Sequence, residues 1–164
     1  MDEGPFADAE VAIFWRYIAS SIARLVELAA TLDAGGLTWR APAPETNSIY
    51  ALTIHTMGNA EENILETLCG RPVGRRREAE FAQEGAAEVR ARWRELRPQL
   101  ATALAALPLG TLERACPHPR RGTIGGREVL IVVARHAAEH LGQAELTRDL
   151  WRATRAAKVG TPHA

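Results

Sequence analysis

The sequence predicts an all-α fold, a helix bundle built from four long amphipathic segments. Three observations point there. The chain is rich in Ala, Leu, Arg and Glu, all good helix formers. Apolar residues recur at three- and four-residue steps over long stretches, the signature of a helix with one buried face. Val, Ile and Thr do not form the repeated alternating blocks that strands show.

The first predicted helix runs from about Ala7 to Leu32, with Val11, Phe14, Ile18, Ile22, Leu25, Ala29 and Leu32 as its stripe. Gly35-Gly36 is expected to end it, because glycine tolerates the left-handed turn past a helix terminus. The connector TWRAPAPET should be extended, since proline fixes its own backbone angle and restricts the residue before it. The second helix begins at Asn47 or Ser48, either of which can cap free amides, and runs to about Cys69. Gly70 and Pro72 stop it, and a charged connection, GRPVGRRREAEFAQEG, follows. The third helix spans about Ala86 to Leu107 on the stripe Val89, Trp93, Leu96, Leu100 and Leu104, with Pro98 as a bend. The segment LGTLERACPHPRRGTIGG is poor in helix signals and reads as an irregular loop or a short hairpin turning near Arg121-Gly122. The fourth helix runs from about Arg127 to Ala157. Residues 1–158 are expected to form a single domain and residues 159–164 a flexible tail. Trp15, Trp39, Trp93 and Trp151 read as core or interface anchors.

Composition narrows the function classes. The 164 residues are 46% hydrophobic and 24% charged, an ordinary globular balance. Twenty basic residues offset twenty acidic ones, so no global field draws nucleic acid or an acidic membrane. No stretch approaches the roughly 18 consecutive apolar residues of a membrane span. The opening MDEGPFADAE has no basic region followed by an apolar run and does not read as a secretory signal. Cys69 and Cys116, far apart in the chain, are expected to be free thiols in a reducing cytoplasm.

Histidines carry the chemistry. His136 and His140 stand four residues apart, on one helix face, and can reach a single cation. Stepping along Val129, Val133, His136, His140, Ala144 and Trp151 keeps to a largely apolar stripe, so the pair should point into the bundle. A buried imidazole needs partners at both nitrogens. A shared metal serves one nitrogen of each ring, and hydrogen-bond acceptors must serve the others. His55, on the second helix with Leu52 one turn before it, is the best third ligand, because inward side chains of facing helices converge in bundles. Three protein ligands leave an open coordination position for water or substrate. His118, between two prolines, is either a ligand reaching over the mouth together with Cys116, or a loop residue like Cys116 itself. His163 falls in the tail.

Three pieces of sequence then show a resemblance: NSIYALTIHTMGNAEENIL followed by CGRP, the charged connection ending in REAEF, and HAAEHLGQ in the last helix. In this order, over most of the chain, they resemble the DinB-like superfamily. That superfamily includes thiol-dependent S-transferases and the N-terminal domain of mycothiol-dependent maleylpyruvate isomerase. The resemblance implies an up-down-down-up four-helix bundle, often a homodimer. It implies a divalent metal such as zinc, nickel or iron on His55, His136 and His140. Gln143 matches the glutamine of the signature and either orients a ligand or is a surface amide. The implied chemistry is activation of a thiol or water for S-transfer or hydrolysis on a small molecule, with a low-molecular-weight thiol such as mycothiol or bacillithiol as cosubstrate. No catalytic side chain is assigned beyond the nucleophile on the metal. A non-catalytic, dimeric metal-binding or small-molecule-binding stress protein is the alternative.

Other charges are open to two readings each. Arg71, Arg75, Arg76 and Arg77 form one basic cluster, and Arg120, Arg121 and Arg127 another. Each either holds an anionic substrate or is solvated loop charge, the more ordinary case. Glu62, two turns after His55, is a hydrogen-bond acceptor for the site, a general base, or part of an exposed face with Glu61 and Glu66.

Overall fold

Helix α1, Ala9–Ala30, starts where the Asp8 carboxylate accepts from the Glu10 amide at 2.8 Å. The computed structural model describes residues 6–82 and 88–159. Most of the α1 stripe is buried, with Ile18, Ile22 and Leu25 fully enclosed, while Phe14 is half-buried and Leu32 lies past the helix end, also half-buried.

The glycine pair does not end this helix. Gly35 and Gly36 lie inside a further short helix, α2, Ala34–Thr38, which Asp33 caps by accepting from the Gly36 amide at 2.7 Å. Trp151 explains the glycine: a Cβ on Gly36 would stand 2.5 Å from the indole Nε1. Close approach, not a left-handed turn, is what the residue provides here.

Helix α3, Ile49–Glu61, is capped by Ser48, whose Oγ accepts from the Ala51 amide at 3.2 Å. Every residue from Ile49 to Ala60 is buried, which makes α3 the central helix. Its threonines stay satisfied in the core by donating back one turn, Thr53 to the Ile49 carbonyl and Thr56 to that of Leu52. The helix then widens into a π-helical segment, Glu62–Leu68, and Gly70 follows with a left-handed φ of 67°. The charged connection is not wholly irregular, since it contains a short helix, α4, Ala79–Ala82. Helix α5, Glu88–Ala105, carries Pro98 inside it and buries Val89, Trp93, Leu96, Leu100 and Leu104.

Of the two alternatives for the segment after α5, the chain takes the hairpin. Strands β1, Ala115–His118, and β2, Gly122–Gly125, pair antiparallel with Cys116 opposite Ile124 and His118 opposite Gly122. Helix α6, Gly126–Val159, then packs along α1, α3 and the π-helical segment. One core of apolar side chains from α1, α3, α5 and α6 joins them, with Trp15 against Trp93 at 6.5 Å. Trp39 and Trp151 meet separately, at 5.8 Å. The chain is mostly helical, and no helix of the described residues is long and apolar enough to cross a membrane. The expected tail, with His163, lies outside the described residues, apart from Val159 at the end of α6.

Candidate metal centre

Helix α6 presents His136 and His140 one turn apart, and α3 presents His55 across from them. The Nε2 of His136 lies 3.2 Å from that of His55 and 3.1 Å from that of His140. One nitrogen from each of the three rings falls in a group spanning no more than 4.8 Å, a cluster that can hold a metal ion. Nitrogens at adjacent corners of a tetrahedral shell with metal–nitrogen bonds of 2.0–2.1 Å stand about 3.4 Å apart, close to the two separations observed.

The outer nitrogens decide which atoms carry hydrogen. His55 Nδ1 is 2.9 Å from Glu80 Oε2. The Arg75 Nη2 that also approaches this ring nitrogen, at 3.1 Å, donates to the same carboxylate oxygen at 2.8 Å. A carboxylate only accepts, so Nδ1 carries a hydrogen, and in the neutral, metal-binding form of the ring Nε2 then carries the lone pair. His140 Nδ1 stands 2.7 Å from Gln143 Oε1, which fixes the same tautomer. Two lone pairs therefore face His136 Nε2. A hydrogen there would serve one of them well and leave the other short of a donor, whereas a cation serves all three nitrogens together. His136 Nδ1 is buried without a partner.

Burial keeps the His136 and His140 rings neutral. Burial, helped by neighbouring His140 and His55, pushes the His136 pKa down to about 3. Burial also holds His140 below the ordinary histidine value. Neutral imidazole is the form that coordinates a metal.

Behind the triad lies an ion-pair network that sequence reasoning missed. Arg75 grips Glu80 through two bonds, Nε to Oε1 at 2.7 Å and Nη2 to Oε2 at 2.8 Å. It also donates from Nη1 to Glu62 Oε2 at 3.1 Å. The side chains of Arg75, Glu62 and Glu80 are only 5%, 8% and 7% exposed. Burial raises the pKa of both carboxyls, but Arg120 and Arg75 on Glu62, and Arg75 and His55 on Glu80, outweigh it and hold both below the usual carboxylate range. Gly58 makes the room: a Cβ there would stand 2.2 Å from Glu80 Oε1.

Several sequence expectations change here. Arg75 is not a solvated loop charge, although Arg71, Arg76 and Arg77 are exposed. Glu62 is buried rather than part of an exposed face, and its oxygens accept from Arg75 and Arg120 rather than from a ring nitrogen. The acceptor for His55 is Glu80. Gln143 does touch a ligand ring, that of His140. His118 is not a loop ligand: it lies on β1, outside the triad, with Nε2 bonded to Asn63 Oδ1 and Nδ1 accepting from the Arg120 amide. Cys116, on the same strand, is buried in the core. Arg127 pairs with Glu10 and Glu113, away from the site. The signal for Glu80 was present in REAEF but unreadable, because only folding shows which of two glutamates in a charged run turns inward. Asn59 and Asn63, one and two turns beyond His55 on a helix otherwise buried in apolar contacts, were a readable polar stripe.

A family model described as the DinB superfamily matches residues 17–144. No curated protein matches significantly. Among solved structures, the chain is similar to a conserved protein from Enterococcus faecalis, at 16% identity and a TM-score of 0.65, covering 88% of this chain and 98% of that one. That likeness concerns the fold alone.

Proposed function

The chain belongs to the DinB superfamily, and from that premise we propose that it is a metal-dependent enzyme acting on a small molecule. Its metal would be held by His55, His136 and His140. The observation that carries this is the convergence of three Nε2 atoms, with two of the rings fixed from behind by Glu80 and Gln143. A bound divalent cation supplies Lewis acidity, lowering the pKa of a water or a thiol toward neutrality. The chain's own part is orientation. Glu80, locked by Arg75, holds the His55 ring and raises its basicity as a ligand, and Gln143 does the same more weakly for His140. Three ligands leave a position for the reacting partner. The reaction class is S-transfer from a low-molecular-weight thiol, such as mycothiol or bacillithiol, or hydrolysis. The matching architecture is an up-down-down-up bundle of α1, α3, α5 and α6, working as a homodimer in the cytoplasm.

Elemental analysis of protein purified without added metal, alongside the His55→Ala/His136→Ala/His140→Ala variant, tests the centre. Near-stoichiometric zinc, nickel or iron in the wild type and none in the variant is the expected result, and equal metal in both removes the assignment. Metal-loaded protein run against a panel of thiols and electrophiles then tests the reaction. Sedimentation velocity tests the dimer, which should run at twice the chain mass.

One observation favours a binding protein instead. Glu80, which touches His55, and Glu62, which shares Arg75 with it, are both committed to arginines and neither is free to serve as a general base. On that reading chelation lowers the melting temperature, and no member of the panel turns over.

A further inference from the structure

A cavity of about 290 Å³ opens beside the triad, with His55 and His136 in its wall. That volume is at the lower end of the range of small-molecule pockets. Apart from His118 and Val132, the rest of the lining is arginine and amide. Arg75, Arg77, Arg120 and Arg121 approach from the loops on either side, Arg135 from α6, Asn59 from α3 and Asn63 from the π-helical segment. No carboxylate lines it.

The carboxylates nearby stand outside the lining and are already engaged. Glu62 holds Arg75 and Arg120, Glu80 holds Arg75, and Glu139 holds Arg135. Arg77 and Arg121 have no ion pair among the described residues, though Arg77 rests over the Phe81 ring at 5.6 Å. The cavity therefore carries surplus positive charge with no internal counter-ion. Asn59 in the cavity wall is 8% exposed, and its Oδ1 is buried with no hydrogen-bond partner. Its carboxamide NH₂ is a donor from which an anion accepts. His118, also in the wall, already has both ring nitrogens bonded, so it shapes the cavity without competing for the occupant.

We propose that this cavity receives the anionic end of the substrate, a compact carboxylate or phosphate, which Arg77, Arg121 and Asn59 hold while the rest of the molecule faces the His55–His136 wall. The substrate class follows as a small anionic electrophile or ester. The proposal rests on the reading of the triad as a metal centre only for what happens at the far end; the anion site itself exists without metal.

The experiment separates the two. Malonate, inorganic phosphate and neutral malonamide are titrated into metal-free wild-type protein by calorimetry and by amide chemical shifts, and metal affinity is measured independently. Malonate or phosphate should bind and malonamide should not, and whichever anion binds more tightly identifies the group. Arg77→Ala/Arg121→Ala, at exposed positions that folding tolerates, should weaken that anion about tenfold and leave metal affinity within a factor of about two. Asn59→Asp, nearly isosteric and negatively charged, should abolish anion binding. Equal anion affinity in the wild type and the arginine variant, or equal binding of malonamide, overturns the proposal. Arginine-dependent anion binding in a protein that takes up no metal supports the anion site while removing the metal reading.

Discussion

The hairpin and the seam between α3 and α6 both bury histidine, and they do it in opposite ways. His118 on β1 has a complete set of partners, the Asn63 carboxamide on one side and the Arg120 amide on the other. The seam brings three Nε2 atoms face to face, and only His55 and His140 have partners on their far sides. A buried ring that is satisfied by the protein is structural. A group of rings whose lone pairs converge is satisfied only by something the chain does not contain. Residue type is the same in both regions, and His55 is as buried as His118 while His136 and His140 are half-buried, so the direction of the unpaired nitrogens makes the difference.

The most damaging way to test that contrast is to remove one ring from each region. His136→Ala should weaken metal binding by about 100-fold or more, read by competition with a chromophoric chelator. His118→Ala should leave metal stoichiometry at the wild-type value and instead cost about 1–3 kcal/mol in urea unfolding, because Asn63 Oδ1 is left buried and bare. Loss of metal from both variants would erase the distinction between the regions.

A smaller effect comes from behind the seam. Glu80→Gln keeps the shape but removes the charge that holds His55, and metal affinity should fall about 10- to 100-fold. Gly58→Ala should act in the same direction more weakly, because its Cβ would displace the Glu80 carboxylate. Unchanged metal affinity in both variants would make the network a purely structural one.

Acid sharpens the comparison further. In metal-free protein, burial depresses the folded pKa of His136 to about 3 and lowers those of His140 and His118. The unfolded chain protonates the same rings near about 6.5, so below that pH it binds more protons than the folded chain. Stability is then full above about pH 6.5 and is lost as pH falls toward the folded values. The melting temperature should decline from pH 6.5 downward, and His136→Gln should flatten that decline. An identical slope in the variant would show that the triad does not govern it. The smallest expected change is that of Gln143→Leu, which removes one exposed hydrogen bond and should cost less than about tenfold in metal affinity.

The sequence by itself carried the helical class, the stripes of α1, α5 and α6, and the candidate histidines. Periodicity of 3.6 residues is a local property, so Val11 through Leu32 and Val89 through Leu104 announce their buried faces without any partner being known. The pair His136 and His140 is legible for the same reason, since four residues on a helix always return to one face. Only the tertiary structure decided what those faces meet. Gly36 is glycine because Trp151, over a hundred residues later, lies against it. Glu80 sits in a run of charge that reads as solvent-facing. It turns inward because Arg75 from the same run neutralises it at His55 and Gly58 leaves it space. Glu62 keeps its place on the helix face of His55 yet pairs with Arg75 and Arg120 from two separate loops. A hydrophobic stripe is set by spacing along one helix. A buried charge is tolerable only where distant segments bring its partner, and spacing along the chain holds no record of that meeting.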